Sequence, residues 1–439
     1  MTDTPRPRIL HLADFDSDQR TALCARGVID VAGYLERAKP IVEAVRAEGD
    51  AALVRFAGAF DKVTMTLDQI RVPQASFDAA YDAVEPEAVA AIREAAENIR
   101  RVHEQQKPPP LDMIEVRPGV MAGDRYVPIE AVACYVPRGK GSFPSVTLMT
   151  AIPAVVAGVP RVVVITPPGP GGACDPGTLV AAREAGVTEV YLAGGAQGVA
   201  AVAYGTHTVP RCRKIVGPGS PWVGAAMQLC AEAIAPGPPA GPSESMILAD
   251  ETADVDRLAL DLLVEAEHGD DSTTFLVTWD VAQAQAVAKR IEELLQRLSP
   301  KRRHYAATAL GINGGLAVAA DREDALAFVN AFAAEHLQIA SSHAADYLDA
   351  IINAGEVLLG QDAPFSMANF MIGVNAVLPT GGKAATHSAL GVMDYIKRQS
   401  IAELTPEGYD ALARQTEAFA RYEGFDAHAL AISARGERR

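Results

Sequence analysis

No two of the five cysteines in this 439-residue chain (Cys24, Cys134, Cys174, Cys212, Cys230) form a CxxC pair, and their spacing is irregular. An odd, scattered set excludes a disulfide framework and fits a reducing cytoplasm. Positive charge is also scarce: 39 Lys and Arg stand against 55 Asp and Glu, a formal net charge of -16. A chain that acidic is poorly suited to phosphate backbones, so nucleic acid is not an expected partner. The opening "MTDTPRPRILHLADF" lacks an apolar signal core, and the longest apolar stretches are broken by Pro, Gly or charge well short of a membrane span. The expectation is a cytoplasmic protein with no membrane partner.

What is present is apolar bulk and alternation. Hydrophobic residues make up 49% of a chain longer than one core usually holds, so at least two domains are expected. Residues 36–62 and 76–106 have apolar residues at helical spacing. "KPPPLDMIEVRPGV" then breaks the pattern. From "AVACYVP" onward, short apolar strands such as "RVVVITPP", "VTEVYLAGG" and "RKIVGPGS" alternate with helical stretches. "APGPPAGPS" interrupts the alternation at 235–243. It resumes with "SMILADE", "TTFLVTW", "GLAVAA" and "LQIA", and "EVLLG" reads as the last strand. After about residue 380 the pattern is mostly helical. Repeated βα units predict two α/β lobes with parallel sheets and helical pieces at both chain ends. Ligands are then expected at the carboxyl ends of the strands.

Three short stretches carry candidate chemistry. "AGGAQG" at 193–198 and "VGPGS" at 216–220 follow predicted strands, where small residues let a phosphate or ribose approach a helix N-terminus. Neither is a GxGxxG, and taken alone each is more often a tight βα turn. "EAEH" places Glu265 and His268 at i, i+3 on one helical face, a spacing that suits chelation of one ion; a polar helix end is the alternative. "AAEHLQIA" brings Glu335 and His336 into the start of a strand, a pair able to take a proton from an alcohol or a water. "YEGFDAHAL" adds Glu423 and His428, five apart and so not together on a helix.

Taken in order and at their separations, "CYVPRGKGSFPSVTLMTAIPAVVAGV", "GGAQGVAAVAYGT", "KIVGPGS", "PAGPSE", "DLLVEAEHG", "AAEHL", "GVNAVLPTGG" and "YEGFDAHAL" resemble the histidinol dehydrogenase family over nearly the whole chain. The resemblance implies two incomplete Rossmann-like parallel-sheet lobes plus small helical terminal segments, in an intertwined homodimer. It divides the chain into an N-terminal segment 1–25, a zinc and substrate lobe 26–125 with 236–380, an NAD lobe 126–235, and a dimerisation tail 381–439. It implies oxidation of a small polar primary alcohol through the aldehyde to the carboxylate, with two NAD and one Zn2+. Carried over residue by residue, the catalytic pair is Glu335 and His336. Substrate contacts fall on Ser243, His336 and Glu423, and cofactor contacts on Tyr135, Gln197 and Ser220. The metal set is Glu265, His268, Asn369 and His428, with His428 and Glu423 donated across the dimer.

Four positions depart from the family pattern. Glu265 stands where the family usually has glutamine and Asn369 where it usually has aspartate, so the carboxylate has moved while the formal charge of the set is unchanged. Ser220 stands for an asparagine at the cofactor, and Ala376 for a histidine beside the metal loop. L-histidinol is the nominal substrate; these changes point, as the alternative, to a paralogue for another alcohol, such as a sulfopropanediol-type substrate. Of other classes, a zinc hydrolase or a non-catalytic ligand-binding relative stay in view.

Overall fold

The computed structural model describes residues 5–25, 31–138 and 141–436. The first residues of the expected N-terminal segment and zinc lobe, Gly139 and Lys140 of the "CYVPRGKG" stretch, and the last three residues of the tail lie outside that range. The strands, in chain order, are β1 (Ile9–His11), β2 (Leu111–Arg117), β3 (Val120–Pro128), β4 (Ala131–Tyr135), β5 (Arg161–Thr166), β6 (Val190–Leu192), β7 (Lys214–Val216), β8 (Ala235–Pro236), β9 (Glu244–Ala249), β10 (Thr273–Thr278), β11 (Gly315–Val318), β12 (His336–Ala340), β13 (Glu356–Leu359) and β14 (Ile396–Leu404). Two compact units divide the chain: Met1–Gln106 with Glu130–Tyr395, and Lys107–Ile129 with Ile396–Arg439.

The larger unit holds two parallel sheets. One has the order β6-β5-β4-β7-β8 and the other β1-β11-β10-β9-β12-β13. Numbered from its own first strand, each follows 3-2-1-4-5, the order of a Rossmann half, with β1 added at one edge of the second sheet. Strands β4, β9, β10, β11 and β12 are buried along their whole length, as strands covered on both faces must be. The alternation of apolar runs and helices therefore produces the expected α/β architecture. Chain order reverses beside the first strand of each sheet, so the topological switch points lie between β4 and β7 and between β9 and β12.

Several expected elements take a different form. The helix read over 36–62 breaks at Gly49, whose φ of 61° lies in the left-handed region that glycine tolerates. That read over 76–106 breaks before Pro86, which opens a new helix at its first turn, where a missing N–H costs nothing. "EVLLG" forms β13 but is not the last strand. Nine residues of the supposedly helical tail form β14, which pairs antiparallel with β3, itself paired with β2. This three-stranded sheet and the helices Pro406–Tyr422 and Asp426–Gly436 make up the smaller unit. Among the described residues no helix is long and apolar enough to cross a membrane.

Candidate active site

Helix Val255–Ala266 follows β9 and runs back along the sheet. Asp254 caps its start by accepting from the Arg257 N–H, and its other end brings Glu265 to the amino ends of the strands. Glu265 is 1% exposed. His268 follows the helix with Nδ1 at 2.7 Å from Glu265 Oε2, while its ring keeps 40% of its surface exposed. That approach is off the hydrogen-bond direction: the buried Nδ1 has no hydrogen-bond partner among the described residues. Asn369, in the short helix Phe365–Phe370, donates from Nδ2 to Glu265 Oε1 at 2.6 Å.

Glu335 and His336 enter β12 after a tight reversal in which Ala333 takes φ 51°. Both side chains are buried, with His336 Nε2 at 3.8 Å from Glu335 Oε1. Glu335 Oε2 accepts from the Glu244 N–H at 2.9 Å, and Glu244 Oε1 accepts from the Gly381 N–H. The half-buried Ser243 immediately precedes β9. Glu356, opening β13, places Oε1 2.5 Å from His336 Nδ1. Neither Glu244 nor Glu356 was anticipated; for Glu356 the available signal is a charged residue opening the apolar run "EVLLG".

This candidate cluster does not lie at the strands' carboxyl ends, where ligands are expected on open α/β sheets. Ser243, Glu244, Glu335, His336 and Glu356 all stand at the amino ends of β9, β12 and β13.

Its electrostatics follow from packing carboxylates and imidazoles in a dry space. Burial alone would raise the Glu265 carboxyl, but the charges of His336 and His268 and the hydrogen bond from Asn369 hold it down at about 2. Glu335 has no such excess of positive partners: burial pushes it up to about 8 despite His336. Burial opposes protonation of His336, yet Glu265, Glu335 and Glu356 together raise it to about 10. His268 is raised by Glu265 against burial. Two carboxyls driven apart in this way can hold different protonation states in one pocket.

The other sheet gathers the cofactor candidates. Tyr135 ends β4, and its hydroxyl accepts from the Gly195 N–H at 3.1 Å, in the turn that opens helix Gly195–Tyr204. Burial pushes its phenol up to about 12. Gln197 sits in that helix, 3% exposed. Ser220 stands exposed before helix Pro221–Leu229 and makes no capping bond. All three lie at the carboxyl ends of β4, β6 and β7. The turn after β7 needs glycine at 217: its φ is 122°, and a Cβ would fall 2.2 Å from the Tyr135 carbonyl oxygen. Gly217→Ala is expected to cost about 2–4 kcal/mol. Urea titration checks this; an unchanged midpoint contradicts it.

Glu423 and His428 lie in the smaller unit, both exposed, on either side of the turn between its two helices. The His428 ring packs against Phe425 at 5.1 Å. Among the described residues no three His, Cys, Asp or Glu side chains of one chain form a metal cluster. Glu265, His268 and the Asn369 amide stand together, with Asn369 hydrogen-bonded to Glu265 and His268 Nδ1 beside it.

Paired Rossmann-type sheets, with a buried Glu–His pair on one, are an arrangement found among dinucleotide-binding enzymes. The histidinol dehydrogenase family profile matches residues 24–436. A histidinol dehydrogenase homolog from Colwellia psychrerythraea is 51% identical over 98% of this chain and 97% of its own length. Rhizobium meliloti provides two relatives: a histidinol dehydrogenase homolog at 49% identity, covering 95% of this chain and 92% of its own, and a histidinol dehydrogenase at 42%, covering 90% and 91%. The crystal structure of histidinol dehydrogenase from Elizabethkingia anophelis superposes with a TM-score of 0.92 at 33% identity, covering 100% of this chain and 99% of that one. The chain belongs to the histidinol dehydrogenase family, NAD-dependent oxidoreductases that act on an alcohol by way of the aldehyde.

Proposed function

We propose that this protein oxidises a small polar primary alcohol to the carboxylate in two hydride transfers, using the cluster around Glu335 and His336. The observation that carries this reading is the buried Glu335–His336 pair beside Glu265 and His268. His336 takes the hydroxyl proton, and the carbon-bound hydrogen would leave as hydride to NAD, which supplies the acceptor when bound. Once the reduced cofactor has been exchanged for a second NAD and His336 has released its proton, Glu335 takes a proton from the water that attacks the aldehyde, and the second hydride would leave to that second NAD. Ser243, next to Glu244 at the start of β9, is proposed to contact the substrate. Tyr135, Gln197 and Ser220 are the residues proposed to hold NAD, which supplies the hydride acceptor.

Glu265, His268 and Asn369 are proposed as zinc ligands, completed by His428 of a second copy. The donor set fits: carboxylate oxygen and imidazole nitrogen suit zinc, the Asn369 amide oxygen is a weaker third donor, and His268 Nδ1, buried without a hydrogen bond among the described residues, lies 2.7 Å from Glu265 Oε2. Asn369 can offer Oδ1 while its amide nitrogen keeps its bond to Glu265. Bound there, zinc would act as a Lewis acid toward the alcohol oxygen. Protein purified without added zinc is expected to carry about one zinc per chain and to lose activity on chelation. Metal analysis with turnover assays checks this; a metal-free, fully active enzyme contradicts it.

For the substrate, a specific observation favours an alcohol other than L-histidinol. Of the two Rhizobium meliloti relatives, the chain is more similar to the one named a homolog, 49% against 42%. The Glu265, Asn369 and Ser220 departures fall on positions assigned to the metal and the cofactor, and Ala376 lies beside the metal loop. NADH absorbance on mixing with histidinol, other amino alcohols, and sulfonated or carboxylated alcohols tests both readings. Histidinol as the best substrate rejects the paralogue; no turnover of any alcohol rejects the dehydrogenase reading for this site.

A further inference from the structure

Glu356 belongs to none of the motifs that mark this family in the sequence. It opens β13 directly opposite His336, which opens β12, and registered residues of a parallel pair project from the same face. The Glu356 N–H also donates to the Glu335 carbonyl at 3.0 Å, so the backbone on both sides of the pair is fixed. Oε1 lies 2.5 Å from His336 Nδ1, with the two side chains 7% and 4% exposed. Oε2 is buried and makes no hydrogen bond among the described residues. Phe365 stands edge-on to the imidazole at 5.8 Å and limits its rotation.

A carboxylate taken out of water at such cost needs a close partner. Its side-chain partner is His336. A neutral imidazole carries one proton, and the partner of one nitrogen decides which nitrogen holds it. An ionised carboxylate can only accept, so it selects the tautomer with hydrogen on Nδ1 and leaves Nε2 as the base.

We propose that Glu356 is a positioning residue for His336: it fixes the imidazole through Nδ1 so that Nε2, on the Glu335 side, is the atom that takes the substrate proton. This rests on the role proposed for His336 above. The balance is simple. The hydroxyl proton moves to Nε2, the hydride and its electron pair leave for NAD, and the proton on Nδ1 stays in its bond to Glu356.

The test is Glu356→Gln with a direct reading of the wild-type ring. Glutamine keeps the shape but can donate to Nδ1, which moves the ring proton to Nε2. The folded variant is expected to lose at least about 100-fold in kcat, with KM for alcohol and NAD changed less than about threefold. Zinc content should be unchanged. A kcat within threefold of wild type overturns the proposal. So does an equal loss carried entirely by KM or by zinc.

Nitrogen-15 NMR of histidine-labelled wild-type holoenzyme, with the His336 signal identified by its loss in His336→Asn, reads the tautomer whether or not the glutamine variant folds. At a pH high enough for the ring to have lost its second proton, a protonated Nδ1 with bare Nε2 is expected; the reverse overturns the proposal. If no alcohol in the panel is oxidised, the functional reading fails while the tautomer measurement still decides the pairing.

Discussion

Glu335→Gln is expected to slow the aldehyde-to-acid half-reaction about 1,000-fold or more while the alcohol-to-aldehyde half falls less than about tenfold. Glutamine preserves the size of the side chain and can still accept from the Glu244 N–H. What it cannot do is take a proton from water, and only the second half consumes water. The wild-type carboxyl has a matching pH signature. Burial raises it to about 8, so its basic form fills as pH climbs from 7 to 9. The aldehyde half should rise over that interval, and the glutamine variant should be flat. Linkage gives a further check of sign. A carboxyl raised in the folded state favours folding when protonated, so this contribution is lost as pH rises from the ordinary carboxylate range through 8. Single-turnover NADH formation, started from the alcohol or from the supplied aldehyde, separates the two halves. Equal losses in both would remove Glu335 from its assigned place.

The sequence shows the two lobes because their strands are buried on both faces. "RVVVIT" and "TTFLVT" are therefore continuous apolar runs between helical patterns. The third sheet offers no such signal. "IKRQSIAEL" is exposed along most of β14, and β2 likewise, so neither shows the alternation that marks a half-buried strand. The Glu335–His336 pair is legible as a motif, but its pole of the sheet is not. Where the rule for open α/β sheets places ligands at carboxyl ends, this cluster sits at amino ends. It sits there because the helix after β9 delivers Glu265 and His268 to that side. Glu356 is hidden for a related reason. It lies twenty residues from His336 in sequence and meets it only through strand register. The tail residues are the opposite case: motif places Glu423 and His428, while the fold of one chain leaves both exposed.

That exposure leads to the second large effect. His428→Ala and His336→Asn are each expected to reduce turnover about 1,000-fold or more, yet a dimer containing one of each should recover about half of wild-type activity. In such a hybrid the subunit lacking His428 still has its own His336, Glu335, Glu265 and His268. If the tail crosses the dimer, that subunit receives an intact His428 from its neighbour and works. The other subunit lacks His336 and stays silent, which leaves one working site of two. If each tail served its own chain, every site in the hybrid would be defective and mixing would restore nothing. The crossing arrangement has a physical motive in the smaller unit, where Phe419, Tyr422, Phe425 and Leu430 are 50% to 89% exposed around the two candidate donors. Apolar surface of that kind, clustered beside Glu423 and His428, calls for a covering partner. A second copy would cover it and deliver the fourth ligand at once. Co-expression of the two variants with different tags and isolation of the doubly tagged dimer gives the species to assay. A silent hybrid would confine the whole site to one chain, and the His268 donors would then need another completion.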